Sequence, residues 1–175
     1  MSKALTYRFK VDPALFRKAL YFNTFAKQRF QSFLIGAMWL FGVGLAAANL
    51  LFRVQMNNVM QLCYVVLLAA LPLLVFSCEN SYRQYRSAPL HDKLREVSLS
   101  DDWIKLQVVG GSDSEKLEWR MIAAVYDLDD FFIIYRDLNL MVLLPKHAIP
   151  ENDVSVLRVL FSKQLGRAFH RRTKG

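Results

Sequence analysis

The sequence predicts an α+β membrane protein: a two-helix transmembrane hairpin carrying a cytoplasmic antiparallel β domain that a C-terminal helix closes. Three observations predict it. Two long apolar runs are separated by six residues. Lys and Arg crowd the outer flanks of those runs but not their connection. From Val97 onward the hydrophobic pattern changes from helical to alternating.

The first run, Phe33 to Phe52, is 20 residues without a charge. At a helical rise of ~1.5 Å per residue it spans roughly 30 Å, the hydrocarbon thickness of a bilayer. The second, Val59 to Phe76, is 18 residues with only Gln61 strongly polar. A buried core helix of a small soluble protein rarely runs so far without a charge on any face. Ala46-Ala47-Ala48 mimics a signal-peptide cleavage site, but the 32 residues before Phe33 are too long for an n-region and a second span follows. Residues 1–32 hold seven Lys/Arg against Asp12, whereas the Arg53–Asn58 loop holds only Arg53. By the positive-inside rule both termini are cytoplasmic and the loop lies outside. The net charge of +8 is therefore topological. From residue 79, 15 basic residues meet 14 acidic ones, so no nucleic-acid footprint exists.

The divisions that follow are 1–32 (N-terminal strand and amphipathic basic helix), 33–78 (hairpin, spans 33–52 and 59–76), 79–96 (helical stalk) and 97–175 (cytoplasmic domain with C-terminal helix). In Ala4–Val11, Leu5, Tyr7, Phe9 and Val11 alternate with polar residues and read as a strand that needs partners elsewhere. Asp12-Pro13 starts a helix to about Gln31, whose interleaved aromatic and basic residues suit either the inner headgroup layer or packing on the soluble domain. In the first span Gly42/Ala46 and Gly44/Ala48 are small-residue pairs, used for packing on the second span or, alternatively, for a homodimer. Pro72 deletes a backbone donor in the second span. Neither span carries an ionisable residue, which disfavours ion-coupled transport. Cys63 and Cys78, ~22 Å apart along one helix, cannot pair within a molecule.

Strands are expected over Val97–Val109 around a turn at Asp101-Asp102, then Glu115–Trp119, Val125–Leu128, Phe131–Tyr135 and Leu140–Leu144. Turns fall at Gly110-Gly111, Asp129-Asp130 and Arg136–Asn139. Pro150–Asp153 opens a helix to about Phe169, ending in a basic tail that includes Arg167, Arg171 and Arg172.

Within this region Leu117-Glu118-Trp119, Ile122, Val125, Phe132–Tyr135 and Leu143–Ile149 resemble the C-terminal domain of the YcxB-like bacterial membrane proteins. The order of strand, helix, two spans and domain is similar too. The resemblance implies a pleckstrin-homology-like (PH-like) fold, the bacterial inner (cytoplasmic) membrane, and no established catalytic activity or agreed site residues. Leu144 stands where the family often has a β-branched residue, a small departure.

No catalytic, cofactor or metal site is expected. His91, His147 and His170 lack partners at ligand spacing, and the Asp127, Asp129, Asp130 group reads as turn residues. No P-loop, dinucleotide loop or G-x-S-x-G occurs. The expected binding residues are basic: Arg120, Arg136, Lys146 and His147 as a rim, with Arg167, Arg171 and Arg172 from the tail. The expected function is a non-enzymatic, multi-pass inner-membrane protein whose domain binds a protein segment or an anionic lipid headgroup. The alternative is a membrane immunity protein that neutralises a toxin through the hairpin.

Overall fold

The computed structural model describes residues 4–27, 29–52, 57–88, 93–111, 114–136 and 140–172. Most of the Arg53–Asn58 loop, the break expected near Pro89, His91, the centre of the Arg136–Asn139 turn and the tail beyond Arg172 lie outside the described residues. The chain forms two compact units, Arg17–Arg86 and a second made of Met1–Phe16 with Ser87–Gly175.

The first unit is helical. Helix α1 (Pro13–Tyr21) starts where Asp12 Oδ1 accepts from the amide of Ala14 at 3.1 Å. A continuous helix to Gln31 is expected from the sequence; instead a π-helical turn, Phe22–Ala26, intervenes, with Lys27 N donating to Phe22 O at 2.8 Å. The Phe25 carbonyl accepts from the Ser32 hydroxyl. Helix α2 (Arg29–Phe52) and helix α3 (Asn58–Ser87) contain the two apolar runs. Asn57 Oδ1 caps α3 by accepting from Met60 N at 2.9 Å. Helix α3 runs unbroken past the expected span and through much of the stalk.

The two long helices are antiparallel, as their contacts show. Gly42 faces Leu67, Trp39 reaches Leu68, Thr24 meets Cys78 and Tyr21 meets Glu79, so one partner's number falls as the other rises. A Cβ on Gly42 would stand 3.0 Å from Leu67 Cβ, so this glycine sets the close approach. Pro72 lies inside α3 and has no N–H, which leaves Leu68 O without its i+4 donor. Trp39 Nε1 donates to that carbonyl at 3.1 Å. Each orphan thus satisfies the other, in the way a proline is tolerated inside an apolar helix bundle.

The second unit holds two four-stranded sheets. The first has the order β1-β2-β3-β4, all antiparallel: β1 (Leu5–Phe9), β2 (Arg95–Leu99), β3 (Trp103–Val108) and β4 (Ser114–Glu118). The N-terminal strand therefore finds the partner its alternation required, with Leu5 opposite Leu99 and Phe9 opposite Arg95. Arg95 and Glu96, expected in the stalk, belong to β2. The second sheet has the order β7-β6-β5-β8: β5 (Ala124–Asp127), β6 (Phe131–Tyr135), β7 (Met141–Pro145) and β8 (Phe169–Arg171). All five residues of β6 are buried, which explains its uninterrupted apolar sequence.

Helix α4 (Glu151–Leu165) packs over the core through Leu157 and Phe161. Phe161 meets Trp119 edge-on at 5.9 Å and Phe132 at 5.4 Å, while Trp119 Nε1 donates to Ser100 O at 3.0 Å. Tyr7 OH donates to Asp153 Oδ2 at 3.0 Å and ties β1 to the start of α4. The helix stops four residues earlier than its pattern suggests. Gly166, at φ +51°, reverses the chain through a 3-10 turn (Gly166–Ala168) into β8, which runs parallel to β5.

Two predictions follow from these contacts. If Trp39 serves the carbonyl that Pro72 orphans, Trp39→Phe lowers the melting temperature of the detergent-solubilised chain, and the loss shrinks in a Pro72→Ala background. A double-mutant cycle with an interaction energy near zero counts against the pairing. The Tyr7 phenol is pushed above its ordinary value of 10.0 by burial, then by the bond to Asp153 and its charge; burial and the neighbouring Tyr126 do the same to Tyr135. Both stay neutral in the fold when the unfolded chain would ionise them, so their contribution is full below about pH 10 and is lost above it. Thermal melts should hold steady from about pH 8 and fall beyond pH 10. Tyr7→Phe should cost about 1 kcal/mol at neutral pH and soften that alkaline decline.

Candidate anion-binding site

In β5, Val125 and Asp127 lie on one face of the strand, and both are fully buried. A carboxylate taken from water into such a place is costly unless it is paired. Three cations converge on it. Lys146 Nζ lies 2.6 Å from Oδ1, Arg158 Nε donates to Oδ2 at 2.8 Å, and Arg171 Nε stands 3.8 Å from Oδ2. The contact at Oδ1 is an ion pair rather than a directed hydrogen bond, since that atom has no hydrogen-bond partner.

Each cation arrives from a different element. Lys146 follows β7 directly in a 3-10 turn; its amide donates to Asp130 O and its ammonium to Leu128 O, 4.9 Å from the centre of the Phe132 ring. Arg158 sits one residue past the buried Leu157 on α4. Arg171 is the register partner of Asp127 in the parallel β5–β8 pair, and Arg172 N donates to Asp127 O at 2.8 Å. His170 opposes Tyr126, their rings 4.7 Å apart. Three cations around one carboxylate leave excess positive charge. Lys146 is nearly enclosed, at 14% side-chain exposure, whereas Arg158 and Arg171 are 30% and 61% exposed. The excess is therefore presented outward by the two arginines. Beside them Val159, Ser162, Lys163 and Phe169 complete an open groove of about 430 Å³ between α4 and β8.

Of the residues expected from the sequence, Lys146, Arg171 and Arg172 are brought together at Asp127. Arg120 and Arg136 are not among them. Arg120 pairs with Glu118 at 2.6 Å and Arg136 with Glu115, so each meets a carboxylate of β4. His147 is exposed beside Lys146, and Arg167 is exposed in the turn before β8. Sequence reasoning missed Asp127 and Arg158. Asp127 reads as a turn residue because Asp129-Asp130 follow, but it ends a buried strand, and the signal was its phase with Val125. The three cations around its carboxylate also make this position hostile to a metal ion.

Residues 99–158 match the family model for YcxB-like protein. Over those residues the chain is similar to the YcxB-like family. That segment runs from the last residue of β2 to Arg158, so the YcxB-like match contains Asp127 and Lys146, while Arg171 lies beyond it. No curated protein and no solved structure matches the chain.

Removing the charge while keeping the shape, Asp127→Asn, leaves the nearly enclosed Lys146 and the half-buried Arg158 without their counter-charge and should destabilise the domain by about 3 kcal/mol. Arg120→Gln, at an exposed pair, should leave the melting temperature unchanged. Equal melting temperatures for the two variants would contradict the role given to Asp127.

Proposed function

We propose that this is a non-enzymatic, multi-pass protein of the bacterial inner membrane, anchored by α2 and α3, whose PH-like sheet domain binds an anionic lipid headgroup at the cytoplasmic surface. The observation that carries the reading is the surface of the two helices. Ser32–Leu51 and the α3 helix are long and apolar enough to cross a membrane, and 6% and 0% of their most apolar windows are buried. A core helix of a soluble domain hides one face against its neighbours. Here Phe41, Leu50, Leu62, Val66 and Leu73 are all more than half exposed. A bilayer supplies the apolar surroundings those side chains lack.

The basic flanks support the orientation, with both termini inside. The YcxB-like match, the two sheets and the overlying α4 support the PH-like reading. The sheet domain is continuous in sequence with the hairpin at both ends, through α1 and through residues 88–94. If the hairpin is inserted, that covalent tether limits how far the domain can move from the bilayer. Anionic headgroups attract such a surface by ~1 kcal/mol per basic residue close to it.

The anchor is expected to resist extraction by alkaline carbonate and to yield only to detergent. In a background with Cys63 and Cys78 replaced by Ala, a cysteine at Asn58 should react with an impermeant maleimide in intact spheroplasts. A cysteine at Lys116, on exposed β4, should react only after permeabilisation. Labelling at Lys116 in intact spheroplasts would invert the orientation, and carbonate-soluble protein would remove the anchor.

A further inference from the structure

The α4–β8 groove has the makings of a phosphate site, and the assignment of a particular ligand group to it rests on the membrane-surface reading above. We infer that Arg158, Lys163 and Arg171 hold the phosphate of a phosphomonoester or phosphodiester attached to an apolar group, with Asp127 as the positioning residue. Arg158 and Arg171 both approach the same oxygen, Oδ2 of Asp127, at 2.8 and 3.8 Å. Two like charges are thereby held side by side in a way that their own repulsion opposes. The carboxylate that holds them is wholly buried, so it orders the cations from behind without competing for an anion in front. Part of its charge is already answered by Lys146 from the enclosed side.

The outward geometry suits phosphate more than a carboxylate. Two guanidinium forks and an ammonium offer more donors than one carboxylate can accept, whereas a phosphate has three or four oxygens to receive them. Ser162 adds a hydroxyl from the same helix face. Val159, 68% exposed, and Phe169 supply an apolar wall next to the cations. A bare anion would leave that wall wet, and a lipid's glycerol backbone and first methylenes would cover it. Arg120 and Arg136 each have a glutamate at hand and offer no such excess.

The test uses the full chain in a neutral maltoside detergent, titrated calorimetrically with dihexanoyl phosphatidic acid and, separately, with inorganic phosphate. Binding of both is expected, with the lipid tighter. Inorganic phosphate bound as tightly as the lipid would keep the phosphate chemistry but overturn the apolar wall's part and the lipid source. The Lys163→Gln/Arg171→Gln double variant changes only exposed side chains and should weaken binding at least about tenfold. Arg120→Gln/Arg136→Gln should bind as the natural chain does. Unchanged affinity in the Lys163/Arg171 variant, or no binding of either probe, overturns the site. Asp127→Asn should also weaken binding, and because it can unfold the domain, its far-ultraviolet dichroism is recorded alongside. Carbonate extraction reports on the anchor separately: membrane-retained protein that binds no phosphate sinks the site alone, and extractable protein that binds phosphate sinks only the anchor.

Discussion

A single buried carboxylate governs how the sheet domain closes. Asp127 ends a central strand with no exposed surface, and no arrangement of the sheet is stable unless cations reach it. They come from the turn after β7, from the middle of α4 and from β8. The last of these cations comes from beyond α4. The parallel strand β8 puts Arg171 in register with Asp127 and brings Arg172 N to its carbonyl. Three residues make a weak strand by ladder bonds alone. Charge and aromatic packing hold it: Phe169 lies 5.9 Å from Phe161, and His170 lies on Tyr126.

The helical unit obeys a different constraint. The middle of its outer surface is apolar, and a polar group buried between the helices is satisfied best by a partner from the protein. The pairing of Trp39 with the carbonyl freed by Pro72 is one answer. The ends are polar in a different manner: Glu79 accepts from Tyr21 at 2.7 Å and pairs with Arg17 at 2.6 Å, and the Arg17 guanidinium also lies over the Tyr82 ring at 5.6 Å. These residues sit beyond the apolar runs in sequence. This charged cluster lies beyond the apolar runs, and the middle of the helix pair uses a small residue and close packing.

Much of this was legible in the sequence because burial imposes a period. The alternation of Leu5, Tyr7 and Phe9, the two uncharged runs and the all-apolar Phe131–Tyr135 each map onto the element they announced. What escaped reading was local exceptions to period. Helical spacing continues smoothly through Leu165 to Phe169, and only the positive φ at Gly166 breaks it. The π turn at Phe22–Ala26 leaves no mark in apolar spacing, because it adds a residue to a turn without changing which types are present. Asp127 was hidden by its neighbours Asp129 and Asp130, which do what aspartates near turns ordinarily do. Arg158 is one of two basic residues on α4, with Lys163, and nothing short of the fold says which one reaches Asp127.

Net charge was equally blind to the groove. With 15 basic and 14 acidic residues from position 79 onward, the domain looks balanced. The balance is local in some places and absent in others. On the β4 side the acids sit beside the arginines they neutralise, Glu118 with Arg120 and Glu115 with Arg136. On the α4–β8 side one buried acid answers three cations, and Lys163 lies in the same groove. A domain of this kind produces little long-range field to steer an anion from solution. Its attraction is confined to roughly a Debye length, ~8 Å at physiological salt. On the proposed reading, such a site acts on a ligand that is already close, as a domain tethered to a membrane anchor would have it.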